Sequence, residues 1–186
     1  GFGFRPIKKI AQNYNNAALS EYSVAASSAL ISHACLVQLT ADGVVLASTN
    51  STENNLGTLN GVFYTDATSN KPTFSNFSPA ANTATDIVAF INDDPMQMYE
   101  VMSADTAFNQ NEVGHCADQV LEAGASPLFV SKSKISATTA NTQAQLFIMG
   151  VSRDPDHSDT TAEGFALRVQ IREHILIGDN TQRAGI

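Results

Sequence analysis

The sequence is poor in several residue types, and each shortage excludes a class of protein. It has no tryptophan and only two cysteines in 186 residues, and charged residues make up 15% of the chain. Two cysteines are too few for the disulfide framework of a small secreted scaffold. No apolar run approaches the ~20 residues that span a bilayer. The low charge content is also unlike a helical bundle, in which Glu, Lys and Leu dominate.

Basic residues are few, and they are unevenly placed. Ten Lys and Arg are set against eighteen Asp and Glu, which gives a net charge of −8. Arg5, Lys8 and Lys9 lie in the first nine positions, whereas residues 72–131 contain no Lys or Arg. Nucleic-acid binding needs clustered cations opposite phosphates, so we expect no direct nucleic-acid partner. The distribution predicts a basic amino-terminal arm that leads into an acidic body.

The stretch 59–81 contains the clearest hairpin signal. Residues 62–64 are strand formers, residues 65–70 suit a turn, and Phe74 and Phe77 lie in a second extended run. This order predicts a wide β-hairpin whose aromatic rings anchor a core or an interface.

The longest alternation lies near the carboxyl end. Apolar residues of one parity alternate there with mainly polar residues of the other, which predicts one long strand with a buried and a wet face. The apolar set is Phe165, Leu167, Val169, Ile171, Ile175 and Ile177, and the polar set is Arg168, Gln170, Arg172 and His174. Further strands are predicted at 30–39, at 44–47 after an Asp-Gly turn, and at 87–91, 96–102 and 145–151. Residues 117–124 predict one or two helical turns that end at Gly124.

These signals predict an all-β, mainly antiparallel fold, a jelly-roll-like sandwich or barrel, because strands and turns alternate without βαβ units. We divide the chain into an extended arm (1–20), a single β-rich domain (21–178) and a short polar tail (179–186). The arm holds Gly and Pro but also two Phe and two Ile in its first ten residues, so we expect it to dock on a surface. The sequence leaves open whether that surface belongs to its own domain or to a neighbouring subunit.

The histidines and cysteines offer a weak signal for chemistry. His33, Cys35, His115 and Cys116 would supply four zinc ligands, but structural zinc pairs usually lie two to four residues apart on turns. The adjacent pair 115–116 points in two directions, so buried thiols are the favoured interpretation. A Cys116 nucleophile paired with His33 or His157 would need a positive environment, and its surroundings are acidic.

Acidic turns are the remaining candidates for a site. Residues 154–159 alternate oxygen ligands as a calcium loop does, but the glycine and the final Glu of an EF-hand are missing, so a solvated turn is favoured. The pair Asp93 and Asp94, followed by proline, also suits a turn. There is no nucleophile-elbow, P-loop or dinucleotide motif. We therefore expect no enzyme, no catalytic, cofactor-binding or metal-ligating residues, and no cofactor.

Four segments, taken in chain order, resemble one protein family. They are G-F-R-P-I-K-K with N-Y-N within 3–15, G-V-F-Y-T-D-A-T-S-N-K-P-T-F-S-N-F at 61–77, D-I-V-A-F-I-N-D-D-P-M-Q-M-Y-E-V at 86–101, and F-I-M-G-V-S-R-D-P-D with the late strand at 147–177. This set is similar to the small β-rich capsid decoration, or cement, proteins of tailed bacteriophages.

The resemblance implies a non-enzymatic virion structural protein on the outer surface of the phage head. A protein of this family would stabilise the expanded capsid by clamping neighbouring major capsid subunits, as a homotrimer, with no membrane partner. The opening residues lack the apolar stretch of a secretory signal, so we expect assembly in the host cytoplasm. The alternatives are another phage component, such as a head fibre, tail or fibre base, or a carbohydrate-binding β-sandwich.

On this resemblance the arm is the part that crosses a subunit boundary. Its apolar residues would anchor on the capsid or on a neighbouring subunit, and its cations would meet an acidic surface. The predicted interface residues are Phe2, Phe4, Arg5, Ile7, Lys8, Lys9 and Tyr14.

Overall fold

The computed structural model describes residues 1–10, 19–49, 54–104, 110–136, 144–162 and 164–177. Within them, nearly all regular structure is antiparallel β-sheet, which confirms the predicted all-β class. The strands are β1 (Arg5–Lys9), β2 (Ser20–Ser23), β3 (Leu36–Leu39), β4 (Val45–Ala47), β5 (Asn55–Thr65), β6 (Pro72–Ser75), β7 (Val88–Asn92), β8 (Gln97–Met102), β9 (Cys116–Ala117), β10 (Gln119–Val120), β11 (Lys134–Ile135), β12 (Leu146–Val151) and β13 (Ala166–Ile171). Two 3₁₀ turns lie at Gln110–Glu112 and Ile175–Ile177.

The strands form two large sheets and one small one. The first sheet has the order β1-β8-β13-β12-β9, and the second has the order β2-β7-β5-β3-β4, with β6 paired to β5 as well. Strands β10 and β11 pair separately. In the first sheet two of the pairings join strands that are distant in sequence, since β1 pairs with β8 and β8 with β13.

Each large sheet has its own hydrophobic cluster. Leu167, Val169 and Ile171 of β13 are buried in the first cluster, which confirms the alternation predicted for this part of the late strand. In β3, Leu36 belongs to the first cluster while Val37 belongs to the second. Successive strand residues point to opposite faces, so β3 is buried on both faces. The arrangement agrees with a β-sandwich, and the jelly-roll connectivity stays a prediction.

The predicted hairpin at 59–81 is confirmed as β5 and β6. The Asp66 carboxylate holds its turn by accepting hydrogen bonds from the backbone N–H and the hydroxyl of Ser69, at 2.8 and 2.6 Å. The backbone N–H of Asp66 bonds the carbonyl of Lys71 across the turn, at 3.0 Å. An aspartate at the start of a turn does this because its short side chain reaches the backbone.

The late strand is shorter than predicted. It ends at Ile171, and Arg172, Glu173 and His174 are all buried, whatever their parity. The chain then turns, and Ile175–Ile177 forms a 3₁₀ turn. The prediction of a wet face for Arg172 and His174 is therefore wrong, because alternation stops where the strand leaves the sheet.

The helical turns predicted at 117–124 are also wrong. This segment contributes β9 and β10, because Ala117 pairs with Leu146 of β12 and Val120 with Lys134 of β11. Gly124 is not a helix cap. Its N–H donates to the hydroxyl of Ser32 at 2.9 Å, and a Cβ there would lie 2.4 Å from a backbone atom of Phe129.

Candidate functional site

The first ten residues are docked on their own chain. Strand β1 lies at the edge of the first sheet and pairs with β8, with Arg5 opposite Glu100. The backbone N–H of Phe4 donates to the carbonyl of Ala34 at 2.9 Å. Gly3 permits this approach, because its φ is +68° and a Cβ would lie 2.5 Å from the Ala34 oxygen. The sequence left open whether the arm docks on its own domain or on a neighbouring subunit. In the structure, residues 1–10 dock on their own domain.

This docking changes the roles assigned to the apolar arm residues. Phe4 was predicted as a surface anchor, but it is fully buried in the first cluster with Tyr99 and Phe165. It is not accessible to a partner, and that prediction is corrected. Phe2 is half-buried, with the Arg5 guanidinium 4.7 Å from its ring centroid. Ile7 is half-buried too, and the predicted interface residue Tyr14 lies outside the described residues.

Arg5 is committed to carboxylates of its own chain. Its guanidinium forms an ion pair with Glu100, with Nε at 3.1 Å from Oε2, and a longer contact of 3.5 Å reaches the Asp154 carboxylate. The hydroxyl of Ser152 donates to the other Glu100 oxygen. The hydrogen bond that the Arg5 guanidinium donates to the Glu100 carboxylate is the main reason that the pKa of Arg5 is raised. Arg5 therefore fastens β1 to β8 rather than facing outward unpaired.

The two lysines of β1 differ from each other. Lys9 forms an ion pair with Asp94, with Nζ 2.5 Å from Oδ2. Burial opposes ionisation of Asp94, but hydrogen bonds from Lys9 and from the Met96 N–H outweigh it and lower its pKa. Lys8 has no ion pair with any residue that the structure describes. Of the three cations predicted at the interface, Lys8 is thus the one without an ion pair to a described residue.

A charged cleft opens over β1, β8 and β13, and we call it the β1–β13 cleft. It has a volume of about 340 Å³. Glu100 faces Arg5 on one side and Arg168 of β13 on the other, so these three side chains form a row across the sheet. The lining residues are Arg5, Ile7, Lys8, Glu100, Ser152, Asp154 and Arg168.

A second surface surrounds β6, and we define the β6 aromatic surface as Phe63, Phe74, Phe77, Leu128 and Phe129. The rings of Phe63 and Phe74 are 4.8 Å apart, and those of Phe77 and Phe129 are 4.3 Å apart. Phe74 is 76% exposed and Leu128 is 67% exposed. The Asn76 side chain donates to the Leu128 carbonyl at 3.0 Å and so joins β6 to the second segment. The sequence left core and interface open for the hairpin aromatics, and the structure has both. Phe74 lies at the surface and Phe63 and Phe77 are half-buried, whereas Tyr64 is buried in the second hydrophobic cluster.

The two cysteines lie in a setting unsuited to surface chemistry. Cys35 and Cys116 are both buried, and burial raises the pKa of the Cys35 thiol to about 12. A fully buried Cys116 cannot reach a substrate as a nucleophile. The Nδ1 of His33 lies 3.0 Å from the Asn60 carbonyl oxygen. Among the described residues, no three His, Cys, Asp or Glu side chains are grouped to hold a metal ion.

The acidic loop 154–159 uses its carboxylates to cap turns. Asp154 accepts from the backbone N–H of Asp156 at 3.2 Å, and Asp159 accepts from the N–H and hydroxyl of Thr161 at 3.0 and 2.7 Å. The Thr161 hydroxyl is the main cause of the lowered pKa of Asp159. These contacts are those of Asx turns, in which an aspartate bonds the backbone two residues ahead.

Sequence reasoning identified the cations of β1 but not their partners. Arg168 was predicted only as a wet-face residue, and Glu100 and Asp154 were not linked to Arg5. No local signal connects them, because they meet only through the pairing of β1 with β8 and of β8 with β13. Leu128 and Phe129 belong to a short apolar run that the sequence shows, but no local signal connects this run with the aromatics of the hairpin.

Comparisons with known proteins add no family to this description. No protein-family model matches the chain, and neither the curated proteins nor the solved structures contain a match. In the described part of the chain, no helix has the length and apolar character needed to cross a membrane.

Proposed function

We propose that this chain is a non-enzymatic virion structural protein that binds the outside of a tailed-phage head. It clamps neighbouring major capsid subunits as a homotrimer and so stabilises the expanded shell, without contacting nucleic acid or a membrane. It is assembled in the host cytoplasm. The resemblance noted in four sequence segments is the starting point of this proposal.

Those four segments lie close together in the fold, which supports the resemblance. The first corresponds to β1, the third to β7 and β8, and the fourth to β12 and β13. Strands β1, β8, β13 and β12 are consecutive neighbours in the first sheet. The second segment forms β6 and the end of β5, next to β7 in the second sheet. The resembling residues thus form two continuous pieces of sheet rather than scattered loops.

The β6 aromatic surface is the observation that carries the proposal. Phe74 leaves three quarters of its surface in water although Phe63 is directly opposite it. Exposed clusters of large apolar side chains mark protein contact sites, and aromatic residues dominate the binding energy of such sites. We place the capsid contact here, and no longer at Phe4.

Co-sedimentation with purified phage heads tests the proposal. The wild-type protein is expected to bind expanded, undecorated heads saturably and to leave unexpanded shells unbound. Phe74→Ala is expected to weaken binding by about thirtyfold, because a central aromatic contact contributes roughly 2 kcal/mol or more. Leu176→Ala is the matched control, since Leu176 is 53% exposed and lies outside the β6 aromatic surface.

One result would contradict the proposed function, and another would contradict the placement of the contact. Absence of wild-type binding to either shell would point to a tail or receptor-binding role. Equal binding by the Phe74→Ala protein and the wild type would leave the cement role standing but remove the β6 aromatic surface from it.

A further inference from the structure

We propose that the β1–β13 cleft binds a carboxylate side chain from an acidic segment of the partner protein. This inference rests on the proposed function in one respect, namely that the partner is a capsid subunit.

The carboxylates already in the cleft are both occupied. Glu100 is 4% exposed, and its two oxygens accept from Arg5 and Ser152. Asp154 contacts Arg5 and accepts the N–H of Asp156. Arg5 therefore forms ion pairs with both carboxylates of the cleft wall. Neither carboxylate forms an ion pair with Lys8 or Arg168.

Arg168 and Lys8 remain as cations without a counter-ion among the described residues. The Nε of Arg168 is buried and has no hydrogen-bond partner there, and Lys8 has no ion pair. A buried guanidinium N–H that lacks an acceptor is costly, and the Arg168 side chain lines the cleft, so a carboxylate seated against this guanidinium supplies the counter-ion that no described residue provides. The cleft lining has one more cation than carboxylates, in a chain whose net charge is −8.

Space for an approaching group exists beside Arg168. Gly150 of β12 is its neighbour across the sheet, and a Cβ at Gly150 would meet no atom within 4 Å. The side of Arg168 away from Glu100 is thus not covered by a side chain of the paired residue. The cleft volume of about 340 Å³ accommodates an Asp or Glu side chain.

The charge pattern favours a carboxylate over a phosphate. Arg presents a planar fork that fits either group. The lining has one more cation than carboxylates, so a single carboxylate balances its charge, whereas a doubly charged phosphate leaves an excess negative charge in the cleft. A protein surface supplies single carboxylates in the form of Asp and Glu side chains.

Titration with a hexaglutamate peptide, followed by chemical-shift changes in isotope-labelled protein, tests the cleft directly. The peptide is expected to shift the signals of β1 and β13, and raising the salt concentration is expected to weaken binding. Arg168→Gln should lower the affinity about tenfold, and Arg168→Lys less, because lysine keeps the charge but loses the fork. Lys132→Gln removes an exposed cation outside the cleft and should leave the affinity unchanged.

A second variant guards against loss of folding. Lys8 lies on the edge strand and has no ion pair with described residues, so Lys8→Gln should keep the fold, as checked by its unfolding curve, and still weaken peptide binding. Peptide binding by folded Lys8→Gln and Arg168→Gln proteins that equals the wild type would overturn the proposal. Tighter binding of inorganic phosphate than of the peptide would overturn the carboxylate assignment.

The shell experiment separates this inference from the function on which it rests. If wild-type protein binds expanded heads and Arg168→Gln binds them about tenfold more weakly, the cleft contributes to capsid binding. If Arg168→Gln binds heads as the wild type does, the cleft has no role on the capsid while the proposed function stands. If the wild type binds no heads, the proposed function fails, and the assignment of the partner to the capsid fails with it.

Discussion

Strand β1 and the β5–β6 hairpin both place a phenylalanine beside a sheet edge, but in opposite environments. Phe4 has no exposed surface and lies among core side chains, whereas Phe74 is 76% exposed. Strand β1 is fastened by the pairs Arg5–Glu100 and Lys9–Asp94, while the Phe74 ring has the Phe63 ring as its aromatic neighbour. The basic, Gly- and Pro-containing segment is thus part of the body, and the central hairpin presents the exposed ring.

The difference shows that composition alone does not decide what a segment does. The beginning of the chain has the composition of a mobile arm, yet its ladder with β8 and its buried Phe4 make it a structural strand. The hairpin has the composition of a core element, yet no described element covers the outer side of Phe74. Whether an aromatic ring is buried depends on which residues pack over it, and those that share the cluster of Phe4, such as Tyr99 and Phe165, are distant from it in sequence.

The largest expected effect is that of removing the buried ring. Phe4→Ala should lower the free energy of unfolding by about 3–5 kcal/mol, because it deletes a fully buried side chain and leaves a cavity. Urea unfolding followed by circular dichroism measures this. Phe4→Leu is the control that keeps a large apolar side chain, and it should cost clearly less than Phe4→Ala because it leaves a smaller cavity. A loss below 1 kcal/mol for Phe4→Ala would mean that β1 is not part of the cooperative unit.

Much of the fold could be predicted from the sequence because the signals are local. Alternation predicted the buried set of β13 as far as Ile171, and Asp66 and its neighbours predicted the β5–β6 turn. The prediction failed where tertiary contacts override local pattern. His174 is buried although its parity was that of the wet face, and Gly124 serves a close approach of two backbones instead of a helix end.

The candidate site was less predictable than the fold. The cations of β1 were identified, but their meaning depends on strand order, which local periodicity does not contain. Glu100 lies between Arg5 and Arg168 only because β8 lies between β1 and β13. Leu128 reaches the β6 aromatic surface through a contact with Asn76, 52 positions earlier in the chain.

Acid is expected to weaken both regions through lowered aspartate pKa values. Asp94 next to β1 and Asp66 in the hairpin turn both have a pKa below the ordinary 3.8. At Asp66 the hydroxyl of Ser69 is the main cause. A carboxyl whose folded pKa is lowered adds stability above pH 3.8, and this is lost as the pH falls through the folded pKa.

Asp94→Asn and Asp66→Asn test how much each lowered carboxyl pKa contributes to stability, the first beside β1 and the second in the hairpin turn. Each variant should be less stable than the wild type at neutral pH and should lose less stability on acidification from pH 5 into the range below 3.8. Urea midpoints across that range measure the difference. At Asp94 the effect should also be smaller in a Lys9→Gln background, since Lys9 supplies one of the hydrogen bonds that lower this pKa and the Met96 N–H supplies another. An unchanged acid profile in Asp94→Asn would show that the pair does not fasten β1.

The smallest expected effect on stability belongs to the most exposed ring. Phe74→Ala removes a side chain that is already largely in water, so it should lower the free energy of unfolding by about 1 kcal/mol or less, most of it from the lost contact with Phe63. The loss of unfolding free energy in Phe74→Ala should be several-fold smaller than the loss in Phe4→Ala when both are measured under the same conditions. A loss as large as that of Phe4→Ala would mean that the β6 aromatic surface is a structural cluster. A small loss accompanied by weakened shell binding would separate the two phenylalanines by role, since one maintains the fold and the other is held in water for a partner.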